Sequence, residues 1–257
     1  MKKLLNTTKF LFVAIFFFSL GAQSAIASVE ERIKAEIATF KEDIQTESSV
    51  KLITTADLIT GSGLSDEALY KVVEARTKQA YEAHMANPKD KQLARDLNAL
   101  VRAYASFGKS DSRDFIVNLV STSKSRGVRN RAHRLHPKLY WFKKRNELMQ
   151  DTTYYKEDQD LMTHRFMGLV KSEDPTLRRW AAEEIVRRGG TEEMVYTAMD
   201  EILKAEAGDI KSDMHLDSLA WFCKILARYD LENHKETLLS IQNDPKSHKK
   251  LKKYASF

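Results

Sequence analysis

Residues 174–185 read DPTLRRWAAEEI, from Asp174 to Ile185, and nearly every position has a helical reason to be there. The Asp174 carboxylate can accept the free N–H groups of a first turn, and Pro175 fits the first helical position, where a missing N–H costs nothing. Leu177, Trp180, Ala181 and Ile185 then recur at intervals of three or four and form one apolar stripe. Ala181 is small enough to let a neighbouring helix approach closely, while Glu183 falls on the opposite side. Gly189-Gly190 ends the helix, and Thr191 is placed to cap the next one.

The same period extends outward in both directions. Val29, Ile33, Ile37, Phe40 and Ile44 trace one amphipathic helix. Residues 48–63 combine Thr54-Thr55 with Gly61-Ser62-Gly63 and read as a short helix followed by a linker. Ser65 is placed as a cap, with Leu64 and Leu69 as a hydrophobic staple, for a long helix running to about Met85. Leu93, Leu97, Leu100, Val101, Tyr104 and Phe107 mark the next face, which Gly108 can close in a left-handed conformation. Further apolar faces follow as far as Leu238 to Ile241. The nine glycines and four prolines fall mostly between these stretches, and no segment alternates with period two. Short connections make successive helices antiparallel neighbours, so the fold class is all-α.

The Asp-Pro turn, the Leu177-Arg178 pair and Ala181 four residues after Leu177 resemble the second helix of HEAT-type repeats. Weaker echoes lie at Leu93 with Leu97, Val128-Arg129 with Ala132, Leu216 with Ala220, and Leu251 to Ala255. With Leu93, Val128, Leu177, Leu216 and Leu251 as landmarks, the steps are 35, 49, 39 and 35 residues. The long step contains Pro137 and additional aromatic residues, which implies an insertion. The resemblance spans roughly residues 87–257. It implies an α-solenoid of stacked antiparallel helix pairs, with Arg178 serving contacts between repeats; a nonrepeating helical bundle is the alternative. The expected organisation is a signal peptide at 1–27, a helical segment and linker at 28–63, and a helical-repeat domain at 64–257.

The signal peptide is read from Lys2, Lys3 and Lys9 followed by an apolar run, Phe10 to Leu20, of eleven residues. Such a helix rises only about 16 Å, roughly half of a bilayer's hydrocarbon thickness. Ala25 and Ala27 supply a small-residue cleavage site before Ser28. A periplasmic or secreted chain with no integral span after cleavage is expected. Cys223 is the only cysteine, so no internal disulfide can form, and its setting between Phe222 and Ile225 reads as a buried thiol.

Local motifs for chemistry are missing from the sequence. It has no glycine-rich phosphate loop, nucleophile elbow or triad signature. Some helical-repeat enzymes bind iron through His-Glu pairs, but no histidine here precedes a glutamate. His133 and His136 have ligand-like spacing, yet they lie among arginines that would repel a dication. No metal or other cofactor is expected, and the chain reads as a noncatalytic binding scaffold; an enzyme or enzyme accessory with a site assembled in a solenoid groove is the alternative.

Charge is the informative signal. From Lys124 to Arg145 there are nine lysines and arginines and no acid, with Tyr140, Trp141 and Phe142 among them. Lys246, Lys249, Lys250, Lys252 and Lys253 form a second basic segment. Without the leader's three lysines the chain has 39 basic and 36 acidic residues; outside the two basic segments, 25 face 36, a remainder of −11. The candidate binding residues are Arg129, Arg131, Arg134, Lys143, Lys144 and Arg145, with Trp141 as a stacking group. The expected partner is a protein or an anionic envelope component, and export argues against nucleic acid.

Overall fold

The computed structural model describes residues 28–257, so the expected leader at 1–27 lies outside the described residues. Thirteen α-helices follow one another: α1 (Val29–Asp43), α2 (Ser49–Ser62), α3 (Glu67–Ala86), α4 (Lys91–Ser106), α5 (Asp111–Thr122), α6 (Arg126–Leu135), α7 (Leu139–Met149), α8 (Leu161–Val170), α9 (Pro175–Arg188), α10 (Glu193–Glu206), α11 (Asp213–Tyr229), α12 (Leu231–Asn243) and α13 (Lys249–Ala255). Short 3₁₀ turns stand at His136–Lys138 and Thr152–Tyr154. Among the described residues there is no strand, and no helix is long and apolar enough to cross a membrane.

The all-α class is thus established, and the helices pack in two layers. In the second half, α9, α11 and α13 lie side by side, with α8, α10 and α12 behind them. In the first half, α2, α4 and α6 lie side by side, with α3 against α4, α1 against α2 and α3, and α5 against α4 and α6. One helix interrupts the alternation. The landmarks Leu93, Val128, Leu177, Leu216 and Leu251 fall on α4, α6, α9, α11 and α13, and only the step from α6 to α9 encloses two helices, α7 and α8. That extra helix accounts for the long 49-residue interval.

Local chemistry sets the ends of these elements, with some differences from the sequence reading. Asp174 caps α9, its carboxylate accepting the Thr176 N–H at 2.9 Å, and Gly189 ends the helix with φ +88°. Asp66, rather than Ser65, caps α3, accepting from Leu69 N at 2.7 Å. Ser65 Oγ instead accepts the Gln150 side-chain amide at 2.8 Å. Glu192, not Thr191, precedes α10; the Thr191 N–H is taken by the Tyr196 hydroxyl at 2.8 Å. The stretch expected to be a short helix followed by a linker is helical through Ser62, whose hydroxyl donates to Ile59 O at 2.8 Å, and Gly63 closes the helix at φ +71°. Gly108 does adopt φ +68°, and a Cβ there would stand 2.4 Å from Lys143 N, so α4 ends directly against the α7 backbone.

Two apolar cores result. One runs from Phe40 and Ile44 through Leu97 and Leu135 to Phe142; the other runs from Met149 through Ala181, Ala220 and Cys223 to Ala255. Residues of α1 and α2 share the first core with α3 to α7. Half-buried Trp180 packs against both cores, so the seam between them lies where α7 meets α9. Burial pushes the Cys223 thiol up to about 12, as suits an inert packing group.

Polar clasps tie the layers together. Arg178 donates Nη1 and Nη2 to the Glu206 carboxylate at 2.5 and 3.0 Å and Nε to Ser172 O at 2.5 Å; His215 Nε2 lies 2.8 Å from the same carboxylate. One arginine thereby joins α9 to α10 and, through Glu206, to α11. At the other end, fully buried Arg165 of α8 forms a bidentate pair with Glu36 of α1 at 2.9 and 2.6 Å, and Arg32 donates to the carbonyls of Glu157 and Gln159.

His84 on α3 is an exception to this satisfaction. It is completely buried, and neither ring nitrogen has a partner among the described residues. Burial, opposed weakly by Asp90, holds its pKa below the ordinary 6.5. Above about pH 6.5 the ring is neutral in both folded and unfolded chains. As pH falls below that value the unfolded chain binds a proton that the fold refuses, so stability is lost by up to about 1.4 kcal/mol per pH unit. His84→Leu is expected to flatten the pH dependence of denaturant unfolding between pH 6.5 and 5 relative to the native chain. Equal slopes in the two proteins would contradict it.

Candidate functional site

At the seam the helices leave a cleft of about 500 Å³. Residues Asp57, Thr60 and Gly61 enter from α2, Arg102 from α4, and Arg131 and Arg134 from α6. Trp141, Phe142 and Arg145 come from α7, and Thr176, Arg179, Trp180, Glu183, Glu184 and Arg187 from α9. Lys138, between α6 and α7, also reaches it. The volume lies within the usual range for small-molecule sites. Aromatic rings and guanidinium groups dominate its walls.

Most charges here are already paired. Arg102 pairs with Asp57 across α4 and α2. Arg179 pairs with Glu183 at 3.0 Å and with Asp217 at 2.9 Å. Arg187 donates Nε to Glu184 at 2.9 Å, and Arg188 Nε donates to the same carboxylate at 3.0 Å. Burial works to raise the Glu184 carboxyl, yet Arg187 and then Arg188 outweigh it and hold the group below the ordinary carboxylate range. Gly61 makes room for this wall: a Cβ there would meet Arg188 Nη2 at 2.9 Å and Glu184 Oε1 at 3.0 Å.

Arg131 and Arg134 differ from these. Both are exposed at the cleft, and neither forms an ion pair or hydrogen bond among the described residues, in contrast to Arg102, Arg179 and Arg187. Lys138 is likewise unpaired among those residues. Cationic surplus is therefore concentrated on the α6 side of the cleft.

The residues expected to bind a partner are thus divided. Arg131, Arg134, Trp141 and Arg145 come together at the cleft, while Arg129, Lys143 and Lys144 do not line it. Arg129 Nη1 donates to Ser123 O at 2.7 Å, closing the carboxyl end of α5. Lys143 is exposed, and Lys144 lies 3.9 Å from Asp174 and 5.0 Å from the Tyr140 ring centre.

Arg145 needs a correction in role. It is 3% exposed, and its guanidinium is spent on the protein: Nη1 donates to Thr60 O at 2.7 Å, Nη2 to Ser106 O at 3.2 Å, and Nε and Nη2 to Asn146 Oδ1 at 3.0 and 2.7 Å. Thr60 and Ser106 stand in the last turns of α2 and α4. Those carbonyls lack intrahelical donors and carry the negative ends of two helix dipoles, which is why a buried cation without a carboxylate is tolerated. The guanidinium also lies 4.9 Å from the ring centres of Phe142 and Trp180. Burial pushes its pKa down to about 9, so it stays charged at neutral pH. Arg145 braces the cleft floor and is not a free anion ligand.

Sequence reasoning missed Asp57, Arg102, Arg179, Trp180, Glu184 and Arg187, which the fold brings to Arg131 from three other helices. Only Trp180 carried a usable signal, as the largest residue of the α9 stripe. The chain matches no protein-family model, no characterised protein and no solved structure.

Proposed function

We propose that this chain is a noncatalytic binding protein of the bacterial-type envelope, which holds an anionic envelope component in the cleft at the seam of its two cores. One observation carries the reading: Arg131 and Arg134 present unpaired guanidinium groups to a concave, aromatic-walled site in which Arg102, Arg179 and Arg187 are already paired with carboxylates. A cation on a convex solvated face is screened over about 8 Å at physiological ionic strength, whereas a cleft with low-dielectric walls concentrates its field. Export, expected from the amino-terminal leader, selects envelope anions as the available partners. HEAT-like stacking, suggested by the α9 motif and compatible with two helix layers, would supply the rigid frame.

Catalysis fits the same walls less well. The carboxylates Asp57, Glu183 and Glu184 are each tied to an arginine, and Glu184 is held in its ionised form, away from the pKa that a general acid needs near neutrality.

The test compares the native chain with Arg131→Glu/Arg134→Glu in sedimentation with anionic envelope membranes across salt concentrations. Native binding should fall as salt rises. Each basic group near an anionic surface contributes about 1 kcal/mol, so reversing two should weaken binding by well over tenfold. Undiminished binding by the folded double variant would remove the cleft from the function.

A further inference from the structure

Three guanidinium groups converge on the cleft from three separate helices: Arg102 from α4, Arg131 from α6 and Arg187 from α9. They are close enough to repel. Burial first, and then Arg131 and Arg187, hold Arg102 below the ordinary guanidinium value, and its Nε is buried with no partner among the described residues. With Arg134, Lys138, Arg145 and Arg179 the cleft lining holds seven cations against the three carboxylates of Asp57, Glu183 and Glu184, a surplus of four even though Arg102 and Arg187 are each paired. A carboxylate ligand would bring one charge and two coplanar oxygens. A phosphate monoester brings a charge of about −1.5 to −2 and three oxygens pointing in different directions, which suits donors arriving from three helices.

The phosphate would occupy only a small part of about 500 Å³. Trp141 and Trp180, both half-buried, leave ring surface for an apolar or ring-shaped stem beside that charge. Resting on the proposed anion-binding role, we infer that the cleft is a site for a phosphate monoester carrying an apolar or ring stem, with Arg102, Arg131 and Arg187 around the phosphate and Trp141 and Trp180 beside the stem. Either a soluble ester or a phosphorylated lipid headgroup presents this chemistry.

Phenyl phosphate, inorganic phosphate and benzoate, titrated at constant ionic strength, separate the two parts of the site. Tryptophan fluorescence reports on it cleanly in a Trp221→Phe background, which leaves only Trp141 and Trp180. Phenyl phosphate should saturate the site at least about tenfold more tightly than either inorganic phosphate or benzoate, because each of these lacks one of the two contacts. Arg131→Gln, an exposed change, should cost phenyl phosphate about tenfold while leaving the far-ultraviolet dichroism intact. Vesicles containing phosphatidic acid distinguish the sources: binding displaced by phenyl phosphate means a lipid ester, and no vesicle binding beside saturable phenyl phosphate means a soluble one. The inference is overturned if phenyl phosphate fails to saturate, if benzoate equals it, or if Arg131→Gln binds it undiminished. Should envelope membranes still bind through Arg131 and Arg134 in that event, only the ligand class falls and the broader anion-binding role stands.

Discussion

Ala181→Asp is expected to lower the melting temperature by roughly 6 to 20 °C, while Glu183→Ala leaves it nearly unchanged. The two positions lie two residues apart on α9 and differ in what surrounds them. Ala181 is fully buried in the second core, where α9 packs along α11. An unpaired carboxylate there costs about 3–5 kcal/mol, or forces the layer open. For a chain of this size each kcal/mol moves the transition by about 2–4 °C. The Glu183 side chain is 47% exposed and pairs with Arg179 one helical turn away. Exposed pairs of that kind contribute at most about 0.5 kcal/mol. Equal shifts in thermal unfolding of the two variants would mean that the stripe of α9 does not face the core.

Glu36→Ala should produce the second large effect, at a point far from the cleft. Arg165 is 1% exposed, and Glu36 is its only carboxylate partner among the described residues. Burial works against the charged arginine, and the bidentate bond to Glu36 overcomes that and raises its pKa. Removing the carboxylate strands a buried cation, at a cost of about 3 kcal/mol when one member of such a pair is lost. Because Phe40 is the only buried residue within α1, the cheapest response is release of that helix from α8. Hydrogen exchange should show amides of residues 29–43 losing protection together. Unchanged protection there, with an unchanged melting point, would mean that Arg165 finds compensation elsewhere.

The helices were legible because amphipathic period, caps and glycine stops all act within a few residues. The motif at Asp174–Ile185 contains its cap, its proline, its stripe and its stop within one segment. The misplaced caps at Ser65 and Thr191 show the limit of that locality. Ser65 and Asp66 are both competent acceptors, and the choice was made by Gln150 and Asn146, some eighty residues away, which occupy the serine hydroxyl.

The candidate site was legible as a charge density and illegible as a geometry. On a helix, residues three apart share a face, while neighbours turn by about 100°. Arg131 and Arg134 therefore enter the cleft together, and Arg129, two positions earlier, points elsewhere to close α5. The consecutive Lys143, Lys144 and Arg145 could not share one face, and the fold buries the last of them. Which one turns inward depended on the carbonyl ends of α2 and α4, supplied by residues 60 and 106. Arg102 and Arg187 sit in otherwise ordinary helical sequence, and their convergence with Arg131 exists only after α4, α6 and α9 have packed.

Ligand-linked stability tests most directly whether this cleft is an anion site. An anion that binds only the folded chain raises its stability by RT ln(1 + [L]/Kd), about 2.7 kcal/mol at a hundredfold excess over Kd. Thermal unfolding is to be followed in phosphate and in chloride at equal ionic strength, for the native chain and for Arg131→Gln/Arg134→Gln. Phosphate strengthens burial in any protein, so the informative quantity is the difference between the two chains. The native chain should gain several degrees more from phosphate than the double variant does, with the gain growing as phosphate concentration rises. Identical gains in both proteins would contradict the assignment of the cleft as an anion-binding site.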